Sequence, residues 1–225
     1  LACLQLPAAR WTPVLQHQGQ PVADVAIIGA GMAGLALAAS LHHRGMAVTV
    51  YDEARAGWEG PWATTARMET LRSPKHLPGP ALGIPSLTFR AWFEAQFGAA
   101  GWQALDKIPR LQWMDYLRWY RQVLGLVVHN EHRITDVLPH GAAPITDVLP
   151  HGAAPITDVL PHDAVASRGG GLVELRLQAN GAEHTAWARR VVLATGRAGL
   201  GGPAVPAFVQ QVSRARWVHS ADEFD

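Results

Sequence analysis

A short apolar run that breaks into three closely spaced glycines constrains the fold of this chain more than any other feature. Residues 25–34 read Val-Ala-Ile-Ile-Gly-Ala-Gly-Met-Ala-Gly, and residues 35–41 continue as a helix-forming sequence rich in leucine and alanine. The pattern predicts a buried strand, a tight turn and a helix in direct succession. Gly29 would permit the turn, Gly31 would let a ligand approach the backbone, and Gly34 would let the helix pack closely on the strand.

An acidic residue at the expected distance completes this pattern. Asp52 follows the next predicted strand, 47–51, and lies 52 − 29 = 23 residues after Gly29, close to the roughly 20 of dinucleotide-binding folds. There the acid binds a ribose hydroxyl, while the helix N-terminus offers N–H groups and a positive dipole end to phosphates. The spacing therefore predicts a dinucleotide site, and its candidate residues are Gly29, Ala30, Gly31, Met32, Ala33, Gly34 and Asp52, with Glu53 as a weaker candidate.

Composition excludes several other classes of function. The net charge of +1 gives no electrostatic reason to expect nucleic acid or a membrane surface as a partner. The uncharged run 25–41 is shorter than the roughly 20 residues of a membrane span and is interrupted by glycines. The single cysteine, Cys3, excludes a disulfide framework, so a reducing cytoplasm is the expected compartment.

The chain divides into an N-terminal lead, 1–21, and one domain, 22–225. Within the domain, helical periodicity predicts helices at 89–97 and 113–124, the second opened by Asp115. A strand is expected at 126–129.

An eleven-residue tandem repeat follows, with residues 134–144 recurring letter for letter at 145–155 and a third copy beginning at 156. Structural repeats usually diverge and have longer periods, so segment 133–162 is interpreted as a lengthened surface loop. The repeat spaces His140, His151 and His162 equally, but histidines in Pro-His turns lack a ligand set, and no metal is predicted.

Two further patterns predict strands beyond the repeat. Residues 171–188 alternate apolar and polar side chains around Asn180-Gly181, which is typical of a β-hairpin. Residues 190–196 read Arg-Val-Val-Leu-Ala-Thr-Gly and predict a separate buried strand that runs into a glycine turn.

With these motifs in place, residues 22–225 resemble the flavoproteins that have two dinucleotide-binding domains, most closely the flavin-containing and N-hydroxylating monooxygenases. The resemblance implies an α/β fold, a Rossmann-like FAD-binding domain whose parallel central sheet carries helices and an inserted small antiparallel β-sheet. It places the FAD pyrophosphate on the glycine turn and the adenosine ribose on Asp52. It also implies that Ala194, Thr195 and Gly196 close the FAD site, and that Trp62 and Arg67 lie near the flavin. The stretch 71–75, which ends in Lys75, is expected beside the flavin ring.

The resemblance further implies an FAD-dependent oxidoreductase of monooxygenase type, which takes electrons from NAD(P)H and oxygenates a small-molecule amine or sulfur nucleophile. No catalytic residue is assigned, because the flavin carries the redox chemistry. Two alternatives stay open: a flavin-dependent reductase or oxidase, and an inactive truncated nucleotide-binding remnant. A plain NAD dehydrogenase is disfavoured by the hairpin and by Ala194-Thr195-Gly196.

The segment 197–225 resembles the linker that precedes an NADPH-binding domain in these enzymes. No second glycine fingerprint follows, so NADPH is expected to bind through a domain that lies outside this chain. The histidine, serine and aspartate of this segment, His219, Ser220 and Asp222, are too close in sequence to indicate a hydrolase triad. The sequence leaves the oligomeric state open.

Overall fold

The computed structural model describes residues 8–140, 171–196, 205–219 and 222. In this part of the chain, the strands and helices follow in the order β1 (Leu15–His17), β2 (Gln20–Ile28), α1 (Met32–His43), β3 (Val48–Tyr51), α2 (Phe89–Ala104), α3 (Arg110–Val123), β4 (Arg133–His140), β5 (Leu172–Ala179) and β6 (Ala182–Leu193). The later copies of the repeat, with His151 and His162, lie outside the described residues.

The centre of the sheet is parallel. Strand β2 pairs in parallel with β3 over 25–28 and with β6 over 22–28. Helix α1 connects β2 to β3, as a parallel connection requires. Ala26 and Ile27 of β2 are almost completely buried, because parallel strands are covered on both faces. This arrangement confirms the predicted α/β Rossmann-like fold.

Strand β6 joins the parallel centre to an antiparallel extension. Its first part, 182–188, pairs with β5 around the Asn180-Gly181 turn, and its second part pairs with β2. The sequence predicted two strands here, but the backbone continues straight through, so the small antiparallel sheet and the parallel sheet share one strand. The prediction of a buried strand at 190–196 was wrong, since Leu193 is 57% exposed.

The first part of the repeat is a strand rather than a loop. Residues 133–140 form β4, which pairs antiparallel with β5. Pro139 is compatible with this position because β4 is the last strand of the sheet path and needs hydrogen bonds on one side only. The predicted N-terminal lead also takes part in the sheet, since β1 pairs with the beginning of β2.

The helices enclose an aromatic core. Phe89 of α2 packs against Trp102, Trp113 and Tyr116, and the buried face of α3 also includes Leu117 and Tyr120.

Three predicted element bounds differ from the structure. Helix α3 begins at Arg110, directly after Pro109, whose backbone is extended, and so starts before the predicted bound at 113 and before Asp115. Helix α2 continues beyond its predicted end to residue 104, with a break at Gly98, whose φ is 70°. The strand predicted at 126–129 is reduced to one parallel bridge between Tyr51 and His129.

Within the described residues, no helix has both the length and the apolar character to cross a bilayer.

Candidate functional site

The three glycines of the fingerprint have different surroundings. A Cβ on Gly29 would lie 2.5 Å from the carbonyl oxygen of Ala194, and one on Gly34 would lie 1.9 Å from the oxygen of Gly29. Both distances are impossible for real atoms, so these two glycines are needed for packing. A Cβ on Gly31 would meet only the Cα of Gly60, at 3.6 Å. Gly31 is therefore the glycine at which the backbone is open to a ligand.

Helix α1 begins at this open position. Gly31 is its N-cap and has no side chain to satisfy the first N–H groups, which belong to Met32, Ala33 and Gly34. The first intrahelical bond runs from the N–H of Leu35 to the oxygen of Gly31. The unsatisfied donors and the helix dipole make this end of α1 suitable for an anionic group.

Asp52 connects the end of β3 to the glycine turn. Its Oδ2 accepts the N–H of Ala30 at 2.6 Å, and its Oδ1 accepts the N–H of Ala54 at 2.8 Å. Partial burial raises the pKa of Asp52 above its ordinary value, although these two hydrogen bonds oppose the shift. An ionised carboxylate has about four acceptor sites, so about two remain available to other donors.

Glu53, the weaker candidate, lies on the outside. Its carboxylate is 3.6 Å from Arg133, and both side chains are more than two-thirds exposed. Its side chain therefore pairs with the start of β4, whereas that of Asp52 contacts the glycine turn.

The turn after β6 reaches the fingerprint from the other side. The N–H of Ala194 donates to the oxygen of Ile28 at 2.7 Å, which places its carbonyl against Gly29. Thr195 and Gly196 follow at the surface, and Gly196 has a φ of 71°, which favours glycine. The structure thus brings Ala194 and the glycine turn together, although they are far apart in sequence.

A third segment, the loop 54–60, borders the same site and contains a residue that sequence reasoning missed. Glu59 is 5% exposed, and its Oε1 accepts Arg121 Nη1 at 2.6 Å and Asn130 Nδ2 at 2.7 Å. The guanidinium of Arg121, on α3, is mostly buried. The sequence offered no local signal for Glu59, because its partners Arg121 and Asn130 are distant along the chain and only the fold brings them close.

The two residues expected near the flavin, Trp62 and Arg67, have well-defined protein contacts. Trp62 packs edge-on against Trp113 with ring centroids 6.4 Å apart, so it belongs to the aromatic core. Arg67 is exposed and donates to the carbonyl oxygen of Asp222 at 2.6 Å.

Lys75, expected beside the flavin ring, contacts the end of a helix. Its ammonium group donates to the carbonyl oxygens of Trp102 and Leu105, at the C-terminal end of α2. A cation at this position satisfies carbonyls that have no intrahelical partner. Lys75 is therefore a helix-capping residue in this structure.

Histidine and acidic side chains do not assemble into a metal centre in the described ranges, where no group of three or more potential ligands comes together. His140, the first histidine of the repeat, ends β4 and bonds to Glu174 Oε2 at 2.7 Å.

A parallel strand pair, a glycine turn, an open helix N-terminus and a carboxylate on the second strand define a Rossmann-type dinucleotide-binding protein. The chain belongs to the FAD-NAD(P)-binding family, whose model matches residues 26–198. This membership confirms the predicted flavoprotein resemblance and agrees with FAD and NAD(P) as the cofactors of the class.

One curated relative extends the match beyond that family region. The chain is 43% identical over 217 residues to the FAD-dependent urate hydroxylase of Xanthomonas campestris pv. campestris. The match covers 96% of this chain but only 40% of the relative, so the chain spans well under half of the length of that enzyme.

Solved structures agree on the fold. The FAD-bound cadaverine monooxygenase of Erwinia amylovora superposes with a TM-score of 0.61 at 18% identity, over 89% of this chain and 41% of that chain. The ornithine hydroxylase of Pseudomonas aeruginosa gives a TM-score of 0.59 at 16% identity, over 84% of this chain and 42% of that one. At these identities the similarity concerns the fold alone.

Proposed function

We propose that this chain binds FAD, with the pyrophosphate over Gly31 and the N-terminus of α1. The observation that carries the proposal is the open space at Gly31, between two glycines that are fully packed. A phosphate there would meet backbone N–H groups without a Cβ in the way.

The remaining candidate residues would each have a distinct task. Asp52 would accept the ribose hydroxyls of the adenosine half, while its bond to Ala30 holds the glycine turn in shape. Ala194, Thr195 and Gly196 would border the cofactor on the β6 side. Trp62 would support the site through its packing in the aromatic core. Arg67 would remain at the surface, bonded to the carbonyl oxygen of Asp222 in the C-terminal segment.

The reaction that we propose is hydroxylation of a small organic molecule. Bound FAD, once reduced by NAD(P)H, would supply two electrons and two protons, so that one oxygen atom of O₂ enters the substrate and the other leaves as water. Urate or a similar oxidised purine is the favoured substrate class, because the 43% identity to a urate hydroxylase covers nearly the whole chain. NAD(P)H would supply the electrons.

Oxygenation of an amine or sulfur nucleophile is the second candidate. Its support is weaker, since the cadaverine and ornithine enzymes share only the fold with this chain. A flavin reductase or oxidase, or a remnant without turnover, remain further alternatives. We also propose that 197–225 leads toward the part of a longer protein that binds NAD(P)H, consistent with the greater length of the relative.

A single-turnover experiment separates these candidates without requiring NAD(P)H. The chain is loaded with FAD, reduced anaerobically with one equivalent of dithionite, and mixed with oxygenated buffer that contains urate or ornithine. Formation of urate that has gained one oxygen atom supports the favoured function, and oxygenated ornithine supports the second candidate. Stoichiometric hydrogen peroxide with either substrate indicates an oxidase. Failure to bind FAD contradicts the whole proposal.

A further inference from the structure

We infer that Glu59 is a positioning residue for the cofactor: it holds the loop 54–60 as a preformed wall of the nucleotide site. The inference rests on the proposed binding of FAD and extends it to a residue outside the glycine turn and the ribose acid.

The carboxylate of Glu59 is buried, which is rare for a charged group. Among the described residues, only Glu59 and Asp24 have charged side chains that are buried. Removing a carboxylate from water is costly unless it is paired and hydrogen-bonded. The bonds from Arg121 and Asn130 to Glu59 Oε1, at 2.6 and 2.7 Å, meet that requirement.

The partners of Glu59 connect three separate segments. Arg121 lies on α3 and also donates to the carbonyl oxygen of Val128, beyond the end of that helix. Asn130 donates to Glu59 and to the carbonyl oxygen of Ala54. One carboxylate therefore joins the loop to α3 and to the segment that follows α3.

The two ends of the loop contact the residues that would bind the nucleotide. At one end, the N–H of Ala54 donates to Asp52. At the other end, Gly60 lies against Gly31. Glu59 is adjacent to Gly60 and is linked through Asn130 to Ala54, so its bonds act on both contacts.

Polar bonds connect the loop to α3 beside a cavity of about 270 Å³, whose lining includes Gly57, Glu59, Leu117 and Arg121. Arg118 of α3 donates to the carbonyl oxygen of Gly57 at 2.6 and 3.0 Å, and Arg121 donates to Glu59. Of these contacts, only those of Glu59 also involve Asn130 and, through it, Ala54. A flexible loop would have to be ordered when the nucleotide binds, and that cost would weaken binding. The bonds of Glu59 remove this cost beforehand.

The test compares Glu59→Gln with Asp24→Asn, which alters the other buried carboxylate at a distance from the loop. Both variants of the 225-residue chain are titrated with FAD and with ADP at low temperature, where circular dichroism shows them folded. We expect Glu59→Gln to raise the dissociation constants of FAD and ADP by about tenfold, equivalent to about 1.4 kcal/mol. Asp24→Asn should lower the melting temperature but change these constants less than about twofold.

Asn130→Ala provides a second, milder variant, because it removes the bonds to Glu59 and to the carbonyl oxygen of Ala54 but keeps the Glu59–Arg121 ion pair. It should weaken FAD binding in the same direction by a smaller factor. Unchanged FAD binding in folded Glu59→Gln, or in Asn130→Ala if the former does not fold, would overturn the inference. An equal loss in Asp24→Asn would also overturn it, since general destabilisation would then be the cause. Absence of FAD binding by the unaltered chain would instead remove the proposed function itself.

Discussion

Gly60 lies directly against Gly31: a Cβ on Gly60 would stand 3.4 Å from the Cα of Gly31. The contact joins the glycine turn to a loop that begins just beyond Asp52. The proposed nucleotide site is therefore enclosed by backbone from two sides, and side chains at either glycine would reduce the space for phosphates. Substitutions at the individual glycines should therefore have distinguishable effects on stability and on FAD binding.

The substitutions Gly31→Ala and Gly34→Ala should affect different properties, FAD affinity in the first case and stability in the second. Gly31→Ala adds a methyl group where the nearest atom is 3.6 Å away, so the apo protein should lose no more than about 1 kcal/mol, as expected for an N-cap change. FAD affinity should fall about tenfold or more, because the methyl occupies the phosphate approach. Gly34→Ala places a Cβ 1.9 Å from a backbone oxygen and should destabilise the fold by at least about 3 kcal/mol.

Urea denaturation and FAD titration measure both effects. The assignment of Gly31 as the open position is wrong if Gly31→Ala binds FAD as tightly as the unaltered chain.

Asp24 should stabilise the fold without contributing to cofactor binding. Its buried Oδ2 accepts Thr12 Oγ1 at 2.5 Å and the N–H of Ala47 at 2.8 Å, and its Oδ1 is 3.1 Å from Arg189. Asp24→Asn leaves the partly exposed guanidinium groups of Arg10 and Arg189 without their buried charge partner and should cost about 2 kcal/mol. It should also loosen the N-terminal segment, and limited trypsin cleavage at Arg10 measures this. Cleavage at the same rate in both proteins would contradict the proposed attachment.

The glycine turn and Asp52 could be predicted because their signals are local. The spacing of Gly29, Gly31 and Gly34 encodes a turn, and the acid falls at the end of the next strand. Glu59 could not be predicted in the same way, because its partners lie 62 and 71 residues further along the chain. Only the tertiary fold brings these residues together.

The strand pattern was less informative where two patterns share one strand. Residues 182–193 change from alternating to continuous apolar character, which suggested two strands, but β6 changes its neighbours from β5 to β2 without a break. Likewise, the cationic character of Lys75 did not distinguish a flavin contact from a helix cap. The contact that Lys75 makes in the structure depends on where α2 ends. The sequence did not show that end, because the helix continues past a break at Gly98.

Lys75 should therefore affect stability and not the flavin. Lys75→Ala removes donors to two carbonyl oxygens at the end of α2 and should lower the free energy of unfolding by about 1 kcal/mol. The absorption spectrum of bound FAD should be unchanged. Lys107→Ala, at an exposed position, is the matched control and should change neither property. A shift of the flavin spectrum in Lys75→Ala alone would place this lysine beside the ring after all.

His129 should make the fold sensitive to mild acid. Its ring stacks on Tyr51 with centroids 5.2 Å apart, and its carbonyl oxygen accepts the N–H of Asp52. Partial burial, together with the neighbouring His132, lowers the pKa of His129 below its usual value near 6.5. Below that value the unfolded chain binds more protons than the folded one, so stability falls as the pH falls.

The melting temperature, measured from pH 7.5 to pH 5.5, tests this expectation. His129→Asn should decrease the slope of melting temperature against pH, because the group responsible for part of the proton uptake is gone. His184→Asn, on the exposed part of β6, serves as the control for removing a histidine as such. The explanation requires the two variants to differ, and an equal change of slope in both would assign the acid sensitivity to general charge instead.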